Sequence, residues 1–402
     1  MTRRTAHFSC ASHCQLLMVR RLVLTMVFLF SFTIGAALSK GSSTEKTGET
    51  QPIPPTDVLV YSFTGDIMHG RYFGPRIQRH FDAAKYTPEN SEPFVHINPL
   101  LKDVDCTFVN LENPILDETP KDLLGMKEQF TTRLVGAPQD LMHLVKHGVD
   151  FVSLANNHIN DAYLPGLQQT IKHVEQAGLA HAGASVSGDP YQPARIDHAP
   201  VETYVYSGTT FINRKAVPVD FNVAVAPTRR LVSQLQPKIK ALREKRPRAL
   251  IIVSIHWGPE NQFKLMPHQA PNVRRLIDAG ADVVFGHHPH VLHPVEVYKN
   301  GVIFYSLGNL FFDQTSTVHR HGMIAHVEWS RTLETKRPRL EKVILHGIVR
   351  PVDQGPVRLA DFSNRASILG RVKSMSSQDH RTRLTWQQKH GRLVWQRNLD
   401  GP

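Results

Sequence analysis

The sequence predicts an α/β protein in which a sheet is flanked by helices. Three observations predict it. Short runs of β-branched and aromatic residues alternate with segments of helical period. The order is β-α-β through most of the chain, the arrangement in which helices cover the faces of a sheet. Three of the helical segments run into glycines, where a chain turns back most readily.

In order, strands are expected at 58–64, 106–110, 151–154, 201–206, 249–255, 283–285 and 302–305. Helices fall between them. Residues 139–147 stop at Gly148, 166–176 run out just before Gly178, and 268–279 stop at Gly280. Residues 228–245 form a longer, very basic helix whose charges suit a solvated face. Strands at 324–329 and 340–349 and a helix near 364–375 follow, without any repeat of solenoid length. This gives a single domain over 57–320 with residues 321–402 as its C-terminal extension.

The N-terminal stretch reads differently. Arg20 and Arg21 precede the apolar run 22–38, LVLTMVFLFSFTIGAAL, the charge and hydropathy pattern of an export signal. Small residues at its end suit cleavage, while its length approaches that of a bilayer span. Residues 1–39 are therefore a signal peptide or an N-terminal membrane anchor, and the Ser/Thr/Lys/Glu/Pro stretch 40–56 is a linker. The expected location is the cell envelope, on its periplasmic or extracellular face.

Composition narrows the partners. At 402 residues, 41% hydrophobic and 20% charged, the chain can bury a large core. A formal net charge of +12 attracts polyanions, yet no RNP, zinc-finger or helix-turn-helix motif accompanies it, so specific nucleic-acid recognition is excluded. An anionic polymer fits. Cys10 and Cys14 lie before the apolar run, which leaves Cys106 alone in the mature part, with no intramolecular disulfide to form. Its strand setting suits a packed apolar residue rather than a nucleophile.

Polar residues gather where the apolar runs end. Asp66 follows the first run, Glu112 the second, and Asn157-His158 the third; His256 and the segment His287-His288-Pro289-His290 end two later ones. Ligands bind at the carboxyl ends of strands in α/β sheets, so residues more than two hundred positions apart can share one crevice. Carboxylate, amide and imidazole donors without thiolate suit Zn, Mn, Fe or Co. Singly, each has a structural explanation: Asp66 as a helix N-cap, Asn156 and Asn157 as turn residues. As a set they point to a metal site. In an extended segment His288 and His290 would share a side and His287 would point away.

The strings GDIMHGR, NLENP, SLANNHIND, HWGPE, GHHPHV and YSLGN resemble those of the PgsA/CapA family of poly-γ-glutamate capsule synthesis proteins, itself similar to calcineurin-like metallophosphoesterases. The resemblance covers residues 58–313. It implies a four-layer α-β-β-α metallophosphoesterase-like sandwich holding one or two divalent ions. By that resemblance Asp66, Glu112, Asn157, His256, His288 and His290 ligate metal, and His158 is the catalytic histidine. Asn110, Asp161 and Asn309 fall in the same motifs as supporting or substrate contacts. The sequence departs from the superfamily in two places: His69 stands one position late for the first-motif histidine and is not carried over, and Glu112 replaces an aspartate. The resemblance implies a phosphoester substrate or an anionic polymer such as poly-γ-glutamate, within a membrane-bound capsule synthesis complex. A second class of function stays open: a non-catalytic, envelope-anchored subunit that binds or exports the polymer.

Overall fold

The computed structural model describes residues 57–397, apart from 74–75, 80, 82–84, 86, 88–89, 118–132, 214–221, 332–336, 381 and 388–389. The expected targeting segment and linker lie outside the described residues. Among those described, no helix is long and apolar enough to cross a membrane.

The principal strands are β1 (Asp57–Ile67), β2 (Cys106–Leu111), β3 (Phe151–Ser153), β4 (Ala180–Ala182), β5 (Thr203–Thr209), β6 (Leu250–His256) and β7 (Val283–His287). After them come β8 (Val295–Tyr298), β9 (Gly301–Phe304), β10 (Asn309–Phe311), β11 (His321–Arg331), β12 (Arg339–Val349), β13 (Thr385–Gln387) and β14 (Arg392–Gln396). The main helices are α1 (Pro138–Lys146), α2 (Tyr163–Gln176), α3 (Thr228–Lys245), α4 (Gln269–Ala279) and α5 (Phe362–Asp379).

They build two sheets. The first runs β13-β14-β12-β11-β1-β2-β3-β4, with β10 also paired to β1; the second runs β8-β9-β7-β6-β5 and ends on the short strand Ala194–Arg195. From β1 to β4 the first sheet is parallel, as is the second from β5 through β6 and β7 to β9. Parallel neighbours bring their carboxyl ends to one edge. In register, Asp66 lies beside Asn110 and Asn110 beside Ser153, while His256 lies beside His287.

Alternation along the strands creates three stacked cores. Tyr61, Phe63, Phe108 and Phe151 of the first sheet pack against Val205, Ile252, Phe285 and Phe304 of the second. The opposite face of the first sheet, with Val109 and Val152, is covered by Leu141 and Leu144 of α1 and Leu167 and Val174 of α2. The opposite face of the second, with Ile251, Val253 and Val284, is covered by Leu231, Leu235 and Ile239 of α3 and Val273 and Leu276 of α4. Helix, sheet, sheet and helix therefore follow one another, which is the four-layer sandwich.

Residues beyond 320 extend this architecture. β11 pairs directly with β1, and α5, capped by Asp361 accepting from the Asn364 backbone N–H, sends Ile368, Leu369 and Val372 into the central core. Gly280 closes α4 with φ 120°, a left-handed conformation that suits glycine. Some elements were not foreseen. The hairpin of Gly70–Phe73 and Arg76–Arg79 and the strands β13 and β14 are short and lack a clear run, so tertiary pairing rather than local pattern decides them.

The basic helix divides in two by role. Arg229, Arg230, Lys240, Lys245, Arg246 and Arg248 are exposed, whereas Arg243 donates to Asp282 Oδ2 at 2.7 Å and to the Gly280 carbonyl at 2.8 Å. Arg337 binds the other oxygen of Asp282, at 2.5 Å. Two arginines thus clamp one buried carboxylate and fasten α3 to the segment that follows α4, so Arg243 belongs to the fold.

Candidate metal centre

Asp66 is the penultimate residue of β1, so it is no helix cap. A Cβ on Gly65 would lie 1.8 Å from the Gly308 carbonyl oxygen, so only glycine allows β1 to approach this turn. The approach lets the Asp66 N–H donate to Gly308 O at 3.0 Å and places Asp66 in register with Asn309. Asp66 Oδ1 accepts from Asn110 Nδ2 at 2.8 Å and lies 3.2 Å from His287 Nδ1. Oδ2 accepts from the His288 backbone N–H at 3.1 Å and lies 3.5 Å from His290 Nδ1. Burial works to raise the Asp66 pKa, but His287, His290 and Asn110 more than offset it and hold the carboxyl below its usual range.

Glu112 is the opposite case. Its backbone N–H donates to Ile67 O at 2.8 Å, which fixes it one residue past β2, fully buried. Among the described residues neither carboxyl oxygen has a hydrogen-bond partner; His256 Nε2 is 3.6 Å from Oε1 and His290 Nε2 is 3.8 Å away. Burial, then the charges of Asp66 and Glu260, push its pKa well above the ordinary value. An isolated buried carboxylate is strongly unfavourable unless a cation faces it.

His256 Nε2 stands at the focus, 2.7 Å from Asn157 Oδ1 and 3.1 Å from His288 Nδ1, while Asn110 Nδ2 approaches its other nitrogen at 3.3 Å. Burial and the surrounding histidines drive the His256 pKa well down, and burial with His290 brings that of His288 to about 3. Both rings are neutral at physiological pH, the form that ligates metal.

His288 and His290 converge for a different reason from that expected. β7 ends at His287, and His288 and His290 have φ of 94° and 56°, so the segment is not extended. The period-of-two argument therefore fails, and His287 does not point away but contacts Asp66. Asn309 Oδ1 lies 2.9 Å from His290 Nδ1, and its amide is anchored to Gln314 Oε1 and His319 O.

His158 stands beside this cluster. Its Nδ1 lies 2.7 Å from Asp161 Oδ2, which also accepts the Leu134 N–H at 2.8 Å, and Asn213 Nδ2 is 3.4 Å from both ring nitrogens. The Asn156 side chain joins the halves, donating to Leu111 O at 2.8 Å and accepting from the His158 N–H at 3.2 Å.

All ten residues singled out from the sequence thus meet at one edge of the sandwich. Three groups bring donor atoms within 4.8 Å of one another: Glu112, His256 and His288; Asp66, Glu112 and His290; Glu260, His288 and His290. Glu112, common to the first two, is the residue whose buried oxygens lack partners, and a cation on either side would satisfy them. The donors fit a borderline divalent ion. Asn156, Asn213, Glu260 and His287 were missed, although Glu260 stood in the HWGPE string. A fourth group, Cys106, Asp150 and His198, reads as structural: Asp150 pairs His198 at 2.8 Å and accepts the Thr107 N–H at 2.7 Å, and burial pushes the Cys106 thiol up.

Known proteins resemble this chain in sequence and, more distantly, in fold. It is 31% identical over 294 residues to the capsule biosynthesis protein CapA of Bacillus anthracis, covering 70% of this chain and 67% of the relative. It is 30% identical over 262 residues to the PGA biosynthesis protein CapA of Bacillus subtilis (strain 168), covering 64% of each. The chain thus spans about two thirds of the length of these relatives. Among solved structures, a 5'-nucleotidase precursor from Thermus thermophilus aligns at 12% identity and a TM-score of 0.42, over 79% of this chain and 59% of that one. Residues 60–314 match the family described as bacterial capsule synthesis protein PGA_cap, and with more than half of the chain matched, the protein belongs to that family.

Proposed function

We propose that the protein is an exported component of poly-γ-glutamate capsule synthesis whose strand-end cluster is a divalent-metal-dependent, phosphoesterase-like hydrolase site. Glu112 carries the reading: a fully buried carboxylate whose two oxygens have no hydrogen-bond partner among the described residues, flanked by the imidazoles of His256 and His290. Asp66, Glu112, Asn157, His256, His288 and His290 would hold the ion or ions. Bound there, divalent metal supplies a water of lowered pKa and charge to clamp an anionic substrate.

The protein's own groups supply the rest. Asp161 orients His158 through Nδ1, which leaves Nε2 to pass a proton to a leaving group. Asn213 limits rotation of that ring. The apolar run 22–38 would carry the domain out of the cytoplasm, and the exposed cations of α3 would draw an acidic polymer toward it.

Those cations also support a second reading, in which the chain only binds or helps export the polymer. Elemental analysis of purified protein, followed by rates on aryl phosphodiesters and on poly-γ-glutamate with Mn, Fe, Co and Zn, separates the two. Bound metal and turnover of either substrate support the hydrolase. Polymer binding without turnover under any metal supports the accessory role.

A further inference from the structure

Glu260 lies in the turn after β6, within His256-Trp257-Gly258-Pro259-Glu260. Two main-chain hydrogen bonds sew this turn to the histidine turn: Trp257 N–H to His287 O at 3.1 Å, and Asn261 N–H to Pro289 O at 3.0 Å. Gly258 and Asn261 hold left-handed φ of 85° and 62°, and Asn261 Oδ1 pairs with His319 Nε2. The backbone on both sides of Glu260 is thereby fixed. Its side chain is exposed and makes no hydrogen bond or ion pair with any described residue. Yet one of its carboxylate oxygens and a ring nitrogen from each of His288 and His290 all lie within 4.8 Å of one another.

We infer that Glu260 is a metal ligand, closing with His288 and His290 an outer cation position at the mouth of the site. This rests on the metal reading of the inner cluster and adds a residue to it. Two arguments carry it. The first is charge: two divalent ions bring four positive charges, and Asp66 with Glu112 offset only two, so a third carboxylate lowers the repulsion between the ions. The second is availability. Asp66 already accepts from Asn110 and the His288 N–H and touches His287 and His290, whereas Glu260 has no other hydrogen-bond or ion-pair partner among the described residues. His69, the histidine nearest Asp66 in sequence, joins none of the three groups. A set of two imidazoles and one carboxylate leaves coordination positions open, and the exposure of Glu260 puts them where substrate arrives.

The test is a Mn²⁺ titration of metal-stripped full-length protein, read by electron paramagnetic resonance and calorimetry, for wild type, Glu260→Gln, Glu260→Ala and Glu112→Gln. Wild type should take up two ions. Both Glu260 variants should keep one at unchanged affinity and weaken the other by about 10-fold or more. Glu112→Gln should weaken the inner ion, of which Glu112 is a ligand. Because Glu260 is exposed, the metal-free variants should melt with wild type, which separates lost ligation from misfolding. Two wild-type-like sites in both Glu260 variants would mean that the carboxylate is merely solvated, and would overturn the inference while sparing the inner cluster. A wild type that binds no Mn²⁺ would remove both.

Discussion

Replacing Glu112 by Gln changes charge and leaves shape alone, so it isolates what the buried carboxylate does. In the metal-free protein the charged form is opposed by burial and by Asp66. The substituted amide would be buried and unsatisfied, at about 1–3 kcal/mol, but the change removes a carboxyl whose charged form burial, Asp66 and Glu260 oppose, a cost that grows as pH rises above its ordinary 4.5. The metal-free variant should therefore melt no lower than wild type at pH 7. Metal reverses the comparison. At free Mn²⁺ 100 times its Kd, wild type gains about 2.7 kcal/mol, or about 4 °C in Tm for a folded unit of this size. If the variant binds 10- to 100-fold more weakly, the same Mn²⁺ gives it only about 0.4–1.4 kcal/mol. The pH dependence has a definite sign. A carboxyl whose folded pKa is raised adds stability that is fully present below its ordinary 4.5 and is lost as pH rises through the folded value. Metal-free wild type should thus lose stability relative to the Glu112→Gln variant above about pH 4.5. Thermal melts across pH, with and without Mn²⁺, give the answer. A variant that melts several degrees lower without metal, yet gains as much from Mn²⁺ as wild type, would refute the reasoning.

Four further outcomes follow from the structure. His158→Ala should keep its metal and lose about 10²–10⁴ in kcat on whichever substrate proves active, and Asp161→Asn should lower kcat by about 10-fold or more with KM nearly unchanged; steady-state rates beside elemental analysis check both. Asp282→Ala should destabilise by about 3 kcal/mol, the low end for a broken buried ion pair because Arg243 and Arg337 keep some exposure, measured by urea unfolding. Reversing Arg229, Arg230, Lys240 and Lys245 to Glu should weaken poly-γ-glutamate binding at low salt, lose that difference at high salt, and leave Tm within about 2 °C; unaltered binding would take α3 out of the polymer path.

The legible parts of the fold were those where burial is written into composition. β1, β2 and β6 are buried on both faces because each is sandwiched between layers, so they appear as largely apolar runs with a polar residue at the end, interrupted in β1 by Ser62 and Thr64 and in β2 by Thr107. Their ends met as expected because parallel neighbours share a direction. The hairpin at 70–79 and the strand β13 carry no such signal; partners elsewhere in the chain define them. His287 shows a rule misapplied rather than a missing signal. Alternation was carried forward across Pro289, where the backbone is no longer extended. Carried back along β7, it would have put His287 on the side of core-facing Phe285, whose ring centroid lies 4.9 Å from that of His287. Glu260 was invisible for another reason: its place depends on main-chain bonds between two turns, which no side-chain pattern reports.

The strain in the molecule has a location, and that bears on what the site is for. Among the described residues six that are not glycine hold a positive φ: Tyr163, Asn261, His288, His290, Lys299 and Gln354. His288 and His290 belong to the cluster, Asn261 bonds to the turn between them, and Tyr163 follows closely on the His158–Asp161 pair. A conformation of this kind costs of order 1–3 kcal/mol and persists only where the surroundings impose it. Here they do: Gly308 locks β1, Asn309 holds His290, and the layers behind them are tightly packed. A cation bound among Glu112, His256 and His288 would satisfy the Glu112 carboxylate and use the direction that the strained backbone gives His288. If the proposed ion binds there, its loss should also cost stability, because the unfavourable terms at the strand ends would then remain with only the core to oppose them.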